Sequence, residues 1–258
     1  MISHNYEEKL GSYNPALKKN VKIEKNIKFD QYNEGEAINI YLPGIGVLSE
    51  DLIDIIKMFG EHNKKIKIVD FKKIINDKKD NPQDLFKEID NLIPSSRKID
   101  YLVGQSFGGG IALEYAIKNP DKINNLILID PYIIKTTNYV AKLFDRLLDI
   151  IRASKKASSR LSPFLFLRKY LSRINLLLKE VRLINQFDLL GRKNRIVNVD
   201  TFFLWAELDK TCPIKNYDLV KKEFKKNYTL IKVLKDGHDW SLNKKLLQKQ
   251  ILKTGIFN

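Results

Sequence analysis

The 258-residue sequence contains a single cysteine, Cys212, and cannot form an internal disulfide. A chain of this kind fits a reducing compartment. The first 20 residues hold no apolar segment of the kind that secretory signals require. No apolar run approaches the ~18 residues needed to cross a bilayer. These absences predict a soluble, cytoplasmic protein.

Several kinds of binding site are also missing from the sequence. There is no cluster of Cys and His with metal-ligand spacing, and the glycine-rich segment GQSFGGG lacks the Lys-Ser/Thr pair of a P-loop. We therefore expect neither a metal nor a cofactor. No helix-turn-helix, zinc-finger or RNA-binding signature accompanies the net charge of +15, so nucleic acid is not an expected partner.

Apolar strand patterns alternate with amphipathic helical patterns along most of the chain. Such alternation predicts a mostly parallel sheet covered by helices on both faces, an α/β fold. The expected strands are 21–29, 37–42, 65–71, 99–103, 125–130, 201–206 and 228–234, and the expected helices 48–59, 82–93, 107–119, 214–226 and 242–252.

Residues 132–199 interrupt this alternation with two helical patterns and no strand pattern. They carry 15 Lys or Arg against four acidic residues, and thus most of the net charge. We read them as a helical insertion into a core formed by 21–131 and 200–258, with 1–20 as a polar leader. The charge has two interpretations: a solvated face of packed helices, or a surface that receives something anionic.

The segment YLVGQSFGGGIALEYA (101–116) places Ser106 among four glycines, between a strand pattern and a helical one. Glycine inside a regular element costs roughly 0.5–1 kcal/mol relative to alanine, so this cluster needs a reason. One interpretation is a tight strand-to-helix turn without chemistry. The other is a nucleophile held on a sharp bend, as in the G-x-S-x-G motif.

In this strand–turn–helix setting, GQSFGG resembles the nucleophile elbow of the α/β-hydrolase fold family. The resemblance extends from about Val21 to the C-terminus, and it implies that Ser106 is a nucleophile. A serine hydroxyl needs a base to take its proton. His238, in DGHDWS after the last expected strand, lies where the family places that base, whereas His4 and His62 lie in segments expected to be solvated.

The resemblance also implies a carboxylate that orients the base. Asp209, in LWAELDKTCP, follows the penultimate strand and matches the family's usual position. Asp130, which ends the preceding strand in LIDP, is the alternative, because some members draw their acid from there.

The family stabilises the oxyanion with two backbone N–H groups. The residue after the nucleophile is Phe107. A second donor is expected in the loop LPGIG (42–46), which points to Ile45. The sequence has Pro43-Gly44 where the family usually has His-Gly.

The activity implied is hydrolysis of a carboxylic ester or thioester through an acyl-enzyme, on a small-molecule acyl substrate. A peptidase, a carbon–carbon bond hydrolase or a catalytically silent binding protein would share these features. Relatives that act as dehalogenases or epoxide hydrolases carry aspartate at the elbow, so Ser106 disfavours both. In the family, the insertion 132–199 would be a cap over the site. Its basic character would suit an anionic acyl carrier or a membrane surface.

Overall fold

The structure, a computed structural model, describes residues 37–44, 47, 49–62, 64–69, 82–94, 96–133 and 196–257. The strands in this part of the chain are β1 (Asn39–Leu42), β2 (Lys67–Ile68), β3 (Ile99–Gln105), β4 (Ile123–Ile129), β5 (Asp200–Ala206) and β6 (Tyr228–Val233). The α-helices are α1 (Ser49–Gly60), α2 (Pro82–Asn91), α3 (Phe107–Lys118), α4 (Asn216–Val220) and α5 (Lys244–Ile251).

The strands form one sheet in the order β2-β1-β3-β4-β5-β6, and every pair is parallel. Leu42 lies opposite Gly104 and Gln105 opposite Ile129, so the carboxyl ends of the central strands are level with one another. The predicted fold class, a mostly parallel sheet flanked by helices, is confirmed.

Alternate residues of each strand supply the two faces of the sheet, as the strand geometry requires. On one face, Val103, Ile127 and Leu204 share a buried cluster with α1 and α5 residues. On the other face, α3 lies over the centre of the sheet, where it packs against β3 and β4. Helices on both faces explain why the central strands are apolar on both sides.

Helix α3 is in turn covered by α2. The ring of Tyr115 packs edge-on against Phe86 at 5.7 Å, and its hydroxyl donates to Asp90 at 2.7 Å. Burial, followed by the hydrogen bond to Asp90, raises the pKa of Tyr115 above its ordinary value.

Several predicted boundaries differ from the observed ones. The helix expected over 214–226 is the short α4, followed by a 3₁₀ turn at Lys221–Glu223. A 3₁₀ helix at His238–Leu242 precedes α5, in place of the direct start expected at 242. Such 3₁₀ turns are frequent at the ends of α-helices and in the connections between elements.

The expected strand 21–29, the leader 1–20 and most of the insertion 132–199 lie outside the described residues, so these remain predictions. Strands β4 and β5 are neighbours, and the insertion forms the connection between them. In the part of the chain that is described, no helix combines the length and apolar character required to cross a bilayer.

Phe203 of β5 is the centre of an aromatic cluster beside α4. It is fully buried, and its ring lies 5.2 Å from that of Tyr217 and 5.1 Å from that of Phe224. Tyr228, at the rim of the same cluster, is 41% exposed.

We expect Phe203→Ala to lower the free energy of unfolding by about 3–5 kcal/mol, because it removes a fully buried ring and leaves a cavity. Tyr228→Ala is the control at the rim of the cluster, with an expected cost of about 1 kcal/mol. Urea denaturation measures both. Equal losses would show that the cluster is not organised around Phe203.

Candidate active site

Ser106, Asp209 and His238 each follow a different strand of the sheet. Ser106 comes directly after β3, Asp209 after β5, and His238 after β6. Because the strands are parallel, all three residues lie at the same edge of the sheet. Ligands of open α/β sheets bind at this edge.

Ser106 has a backbone conformation that is rare for a residue with a side chain, with φ of 51°. Such a conformation costs about 1–3 kcal/mol and persists only where neighbouring contacts enforce it. Here the N–H of Ser106 donates to the carbonyl of Ile129 at 2.8 Å, and its own carbonyl accepts from Tyr132 at 2.8 Å. The bend is therefore held by the adjacent strand β4 and the residues after it.

Two of the surrounding glycines are required by close backbone approach. A Cβ on Gly108 would lie 2.2 Å from the carbonyl oxygen of Leu42, and one on Gly104 would lie 2.7 Å from Cβ of Ala112. Contacts this short do not occur between real atoms, so only glycine fits at these two positions. They allow α3 to start immediately over the ends of β1 and β3.

His238 is buried and hydrogen-bonded on both ring nitrogens. Its Nδ1 lies 2.6 Å from Oδ2 of Asp209, and its Nε2 lies 2.8 Å from Oγ of Ser106. A carboxylate only accepts, so Nδ1 carries the proton of the neutral ring. Nε2 is then the acceptor for the hydroxyl of Ser106. This is the arrangement in which the ring can take the serine proton.

The carboxylate of Asp209 is oriented by a tight turn. Its Oδ1 accepts from the N–H of Cys212 at 2.7 Å, which leaves Oδ2 facing the histidine. The indole N–H of Trp205 donates to the carbonyl of Cys212 at 2.6 Å and anchors the turn to β5.

Asp130, the alternative acid, is fully buried and accepts other hydrogen bonds. Its Oδ1 accepts from the N–H of Ala206 at 2.7 Å, and its Oδ2 accepts from the indole N–H of Trp240. These bonds join the end of β4 to the end of β5 and to the 3₁₀ helix that carries His238. Of the two aspartates, Asp209 is the one the structure places against the histidine.

Phe107, one of the two oxyanion donors expected from the sequence, is the first residue of α3. N–H groups in the first turn of a helix have no acceptor within the helix, and the helix dipole favours negative charge there. Ile45 lies outside the described residues. Gly44, directly before it, lies against the serine, because a Cβ on Gly44 would be 3.1 Å from Cβ of Ser106.

Of the other two histidines, the structure describes only His62. His4 lies outside the described residues. His62 was expected in a solvated loop, but it is half-buried and stacks on Phe257 with 4.0 Å between ring centres. Its Nε2 accepts from Gln248 at 2.9 Å. The contact with the C-terminal segment gives this histidine a packing role.

A family model described as the alpha/beta hydrolase fold matches residues 95–177. The chain has the α/β-hydrolase fold. No curated protein sequence matches it. Among solved structures, a protein of Acinetobacter baumannii described as a candidate lipase is 15% identical, with a TM-score of 0.63, and the match covers 87% of this chain and 85% of that chain.

Two further solved structures show the same fold. An esterase from a marine microorganism is 17% identical with a TM-score of 0.58, and the match covers 86% of this chain and 96% of that chain. A meta-cleavage product hydrolase of Pseudomonas fluorescens is 12% identical with a TM-score of 0.62, covering 88% and 92%. At these identities the likeness establishes the α/β-hydrolase fold alone.

Asp209, Cys212 and His238 also form the kind of cluster that can bind a metal, since their ligand atoms all lie within 4.8 Å of one another. Two ligands of one tetrahedral Zn²⁺ are roughly 3.3 Å apart, given bonds of about 2.0–2.2 Å. The oxygen and nitrogen of Asp209 and His238 are 2.6 Å apart. This spacing is that of a hydrogen bond, so a metal would have to separate the pair.

Sequence reasoning missed a second set of buried polar residues beside the elbow. The hydroxyl of Tyr41 donates to Oε1 of Gln105, and Nε2 of Gln105 donates to Oγ of Ser241 at 2.6 Å. A signal was present in the sequence, because Gln105 is a polar residue at the end of an apolar strand. A buried amide must find hydrogen-bond partners.

We expect Gly108→Ala to lower the free energy of unfolding by about 3 kcal/mol or more, since the new methyl group would overlap the Leu42 carbonyl. Gly60→Ala is the matched control, because a Cβ at Gly60 meets no atom within 4 Å. Its effect should stay within about 0.5 kcal/mol. Urea denaturation distinguishes the two, and equal effects would contradict the close approach at the elbow.

Proposed function

We propose that the chain is a serine hydrolase that cleaves a carboxylic ester or thioester through an acyl-enzyme. The observation that carries this proposal is the continuous hydrogen-bonded path from Ser106 through His238 to Asp209. A nucleophile bonded to a base, with the base bonded to an orienting group, is the arrangement that activates a serine hydroxyl.

In the first half of the proposed reaction, Oγ of Ser106 attacks the carbonyl carbon while Nε2 of His238 takes the hydroxyl proton. Asp209 stabilises the resulting imidazolium. The N–H groups of Phe107 and Ile45 are the proposed donors to the oxyanion. When the tetrahedral intermediate collapses, the leaving alcohol or thiol receives the proton from His238.

In the second half, water replaces the leaving group. His238 takes a proton from the water as its oxygen attacks the acyl carbon. Collapse of the second intermediate breaks the bond to Oγ of Ser106 and returns the proton to the serine. The carboxylic acid then leaves, and the three residues regain their starting protonation states.

The named neighbours support ester hydrolysis as the first candidate, since one is an esterase and another is described as a candidate lipase. The meta-cleavage product hydrolase makes a carbon–carbon bond hydrolase the second candidate. A serine at position 106 disfavours the epoxide-hydrolase and dehalogenase reactions, for which relatives carry aspartate at the elbow. A peptidase and a catalytically silent binding protein remain as alternative outcomes of the tests below.

We expect a fluorophosphonate probe to label the wild-type protein and to leave Ser106→Ala unlabelled, because labelling requires an activated serine. Turnover of a short aryl ester should fall by ~10⁴–10⁶ in the variant. Ser96→Ala is the matched control, since Ser96 is exposed and precedes β3, at the edge of the sheet opposite the elbow. Circular dichroism checks that each variant is folded.

Failure of the folded wild-type protein to react with the probe would contradict the hydrolase proposal and favour a silent binding protein. If the probe reacts, a panel of esters, thioesters, peptides and carbon–carbon substrates identifies the bond cleaved. Cleavage of peptides alone would replace the esterase proposal with a peptidase.

The cysteine content supports a proposal about the compartment. Cys212 is buried, and it is the sole cysteine in the sequence. We propose a cytoplasmic location, because a protein without disulfides suits a reducing environment.

We further propose that the acyl substrate is presented on an anionic group, either a carrier or a membrane surface. The support is the excess of positive charge over 132–199, with 15 basic and four acidic residues. Opposite charges increase the rate of encounter, and salt screens this attraction.

We expect the turnover of an acyl-coenzyme A thioester to fall steeply between 0.1 and 1 M salt, since the Debye length shrinks from ~10 Å to ~3 Å. Turnover of a small neutral ester should change much less. Arg168→Glu with Lys169→Glu should raise KM for the anionic substrate alone. Lys225→Glu with Lys226→Glu is the control, because these exposed lysines precede β6 at the opposite edge of the sheet. Equal salt sensitivity of both substrates would refute the proposal.

A further inference from the structure

We infer that Gln105 is a positioning residue, which holds the base His238 against the nucleophile by binding Ser241. The inference rests on the proposed serine hydrolase function and extends it to residues outside the catalytic three. Gln105 does not enter the chemistry itself. It acts through the 3₁₀ helix that carries the histidine.

The contacts of Gln105 are buried and use both ends of its amide. Oε1 accepts from the hydroxyl of Tyr41 on β1, and Nε2 donates to Oγ of Ser241 at 2.6 Å. The three residues are no more than 5% exposed. Loss of one partner would leave a buried polar group without its hydrogen bond, which is unfavourable.

The geometry of the 3₁₀ helix connects this contact to the base. His238 and Ser241 are three residues apart in the helix His238–Leu242. A 3₁₀ helix has three residues per turn, so side chains at these two positions lie on the same side. His238 binds Ser106, and Ser241 binds Gln105, the residue directly before Ser106 in the sequence. Gln105 and Ser106, consecutive residues of the elbow, thus bind side chains on the same face of this helix.

Tyr41 completes the arrangement by orienting the amide. Its hydroxyl donates a hydrogen bond to Oε1 of Gln105. The NH₂ group of the amide therefore faces Ser241. Removal of either hydroxyl should allow the helix to shift relative to Ser106. Misplacement of a reacting group by about 1 Å can cost on the order of 100-fold in rate.

The test compares hydroxyl deletions inside this arrangement with matched deletions outside it. Ser241→Ala is paired with Thr254→Val, which removes a buried hydroxyl bonded to the Ile251 carbonyl at 2.7 Å. Tyr41→Phe is paired with Tyr115→Phe, which removes the buried hydroxyl bonded to Asp90. Each variant is examined for melting temperature, for kcat and KM on an aryl ester, and for its rate of fluorophosphonate labelling.

We expect Ser241→Ala and Tyr41→Phe to lose roughly 10- to 100-fold in kcat and in labelling rate, with KM within about twofold of wild type. The two controls should keep kcat within about twofold, even where their melting temperatures fall equally. Ser241→Thr, which retains the hydroxyl, should recover most of the lost rate. Wild-type rates in Ser241→Ala and Tyr41→Phe, or equal losses in the controls, would overturn the inference.

The two proposals fail in different ways. A wild-type protein that does not react with the probe contradicts the hydrolase function. In that case the position of His238 is compared between crystal structures of the wild type and of Ser241→Ala. This comparison does not require catalytic activity. An Nε2–Oγ distance to Ser106 that stays at the wild-type value in the variant would refute positioning by Gln105. A lengthened distance would support it.

Discussion

The return of the chain after β6 across the carboxyl edge of the sheet is the constraint on which the site depends. His238 follows the edge strand β6, yet it must reach a serine on β3, with β5 and β4 in between. Its segment is attached to each strand that it crosses. His238 binds Asp209 after β5, Trp240 binds Asp130 after β4, and Ser241 binds Gln105 at the end of β3. Each attachment is a buried hydrogen bond, so a displacement of the segment would leave several polar groups without partners.

The two buried aspartates show how position decides the use of a carboxylate. Both follow strands at the same edge, and both accept a backbone N–H at 2.7 Å. The second oxygen of Asp209 accepts a hydrogen bond from the imidazole of His238, whose charge can change. In Asp130 the second oxygen receives an indole N–H, which stays neutral and only donates. The carboxylate of Asp209 can therefore stabilise a charge that forms on its partner. The carboxylate of Asp130 instead joins β4, β5 and the 3₁₀ helix.

Local patterns in the sequence were sufficient for the central elements. Strand β3, the elbow at Ser106 and helix α3 follow from an apolar run, a glycine cluster and a helical stripe, all within 20 residues. Local patterns could not decide whether Asp130 or Asp209 binds the histidine, because both residues follow strands. Only the three-dimensional position of His238 distinguishes them. Gln105 was missed for the same reason, since its partners lie 64 and 136 residues away. The end of α4 at Val220 was missed as well, because tertiary context can override the helix propensity of a local segment.

The sequence distance between the site residues has a consequence for synthesis. The bond between Ser106 and His238 joins positions 132 residues apart. The bend at Ser106 can form as soon as β1, β3, β4, α3 and Tyr132 have been made, because its backbone hydrogen bonds to Ile129 and Tyr132 lie within that region. His238 reaches it only after the segment beyond β6 has left the ribosome and closed a long loop, a slow and entropically costly step. A nascent chain would thus carry a strained serine without its histidine partner for many seconds at translation rates of about 5–20 residues per second.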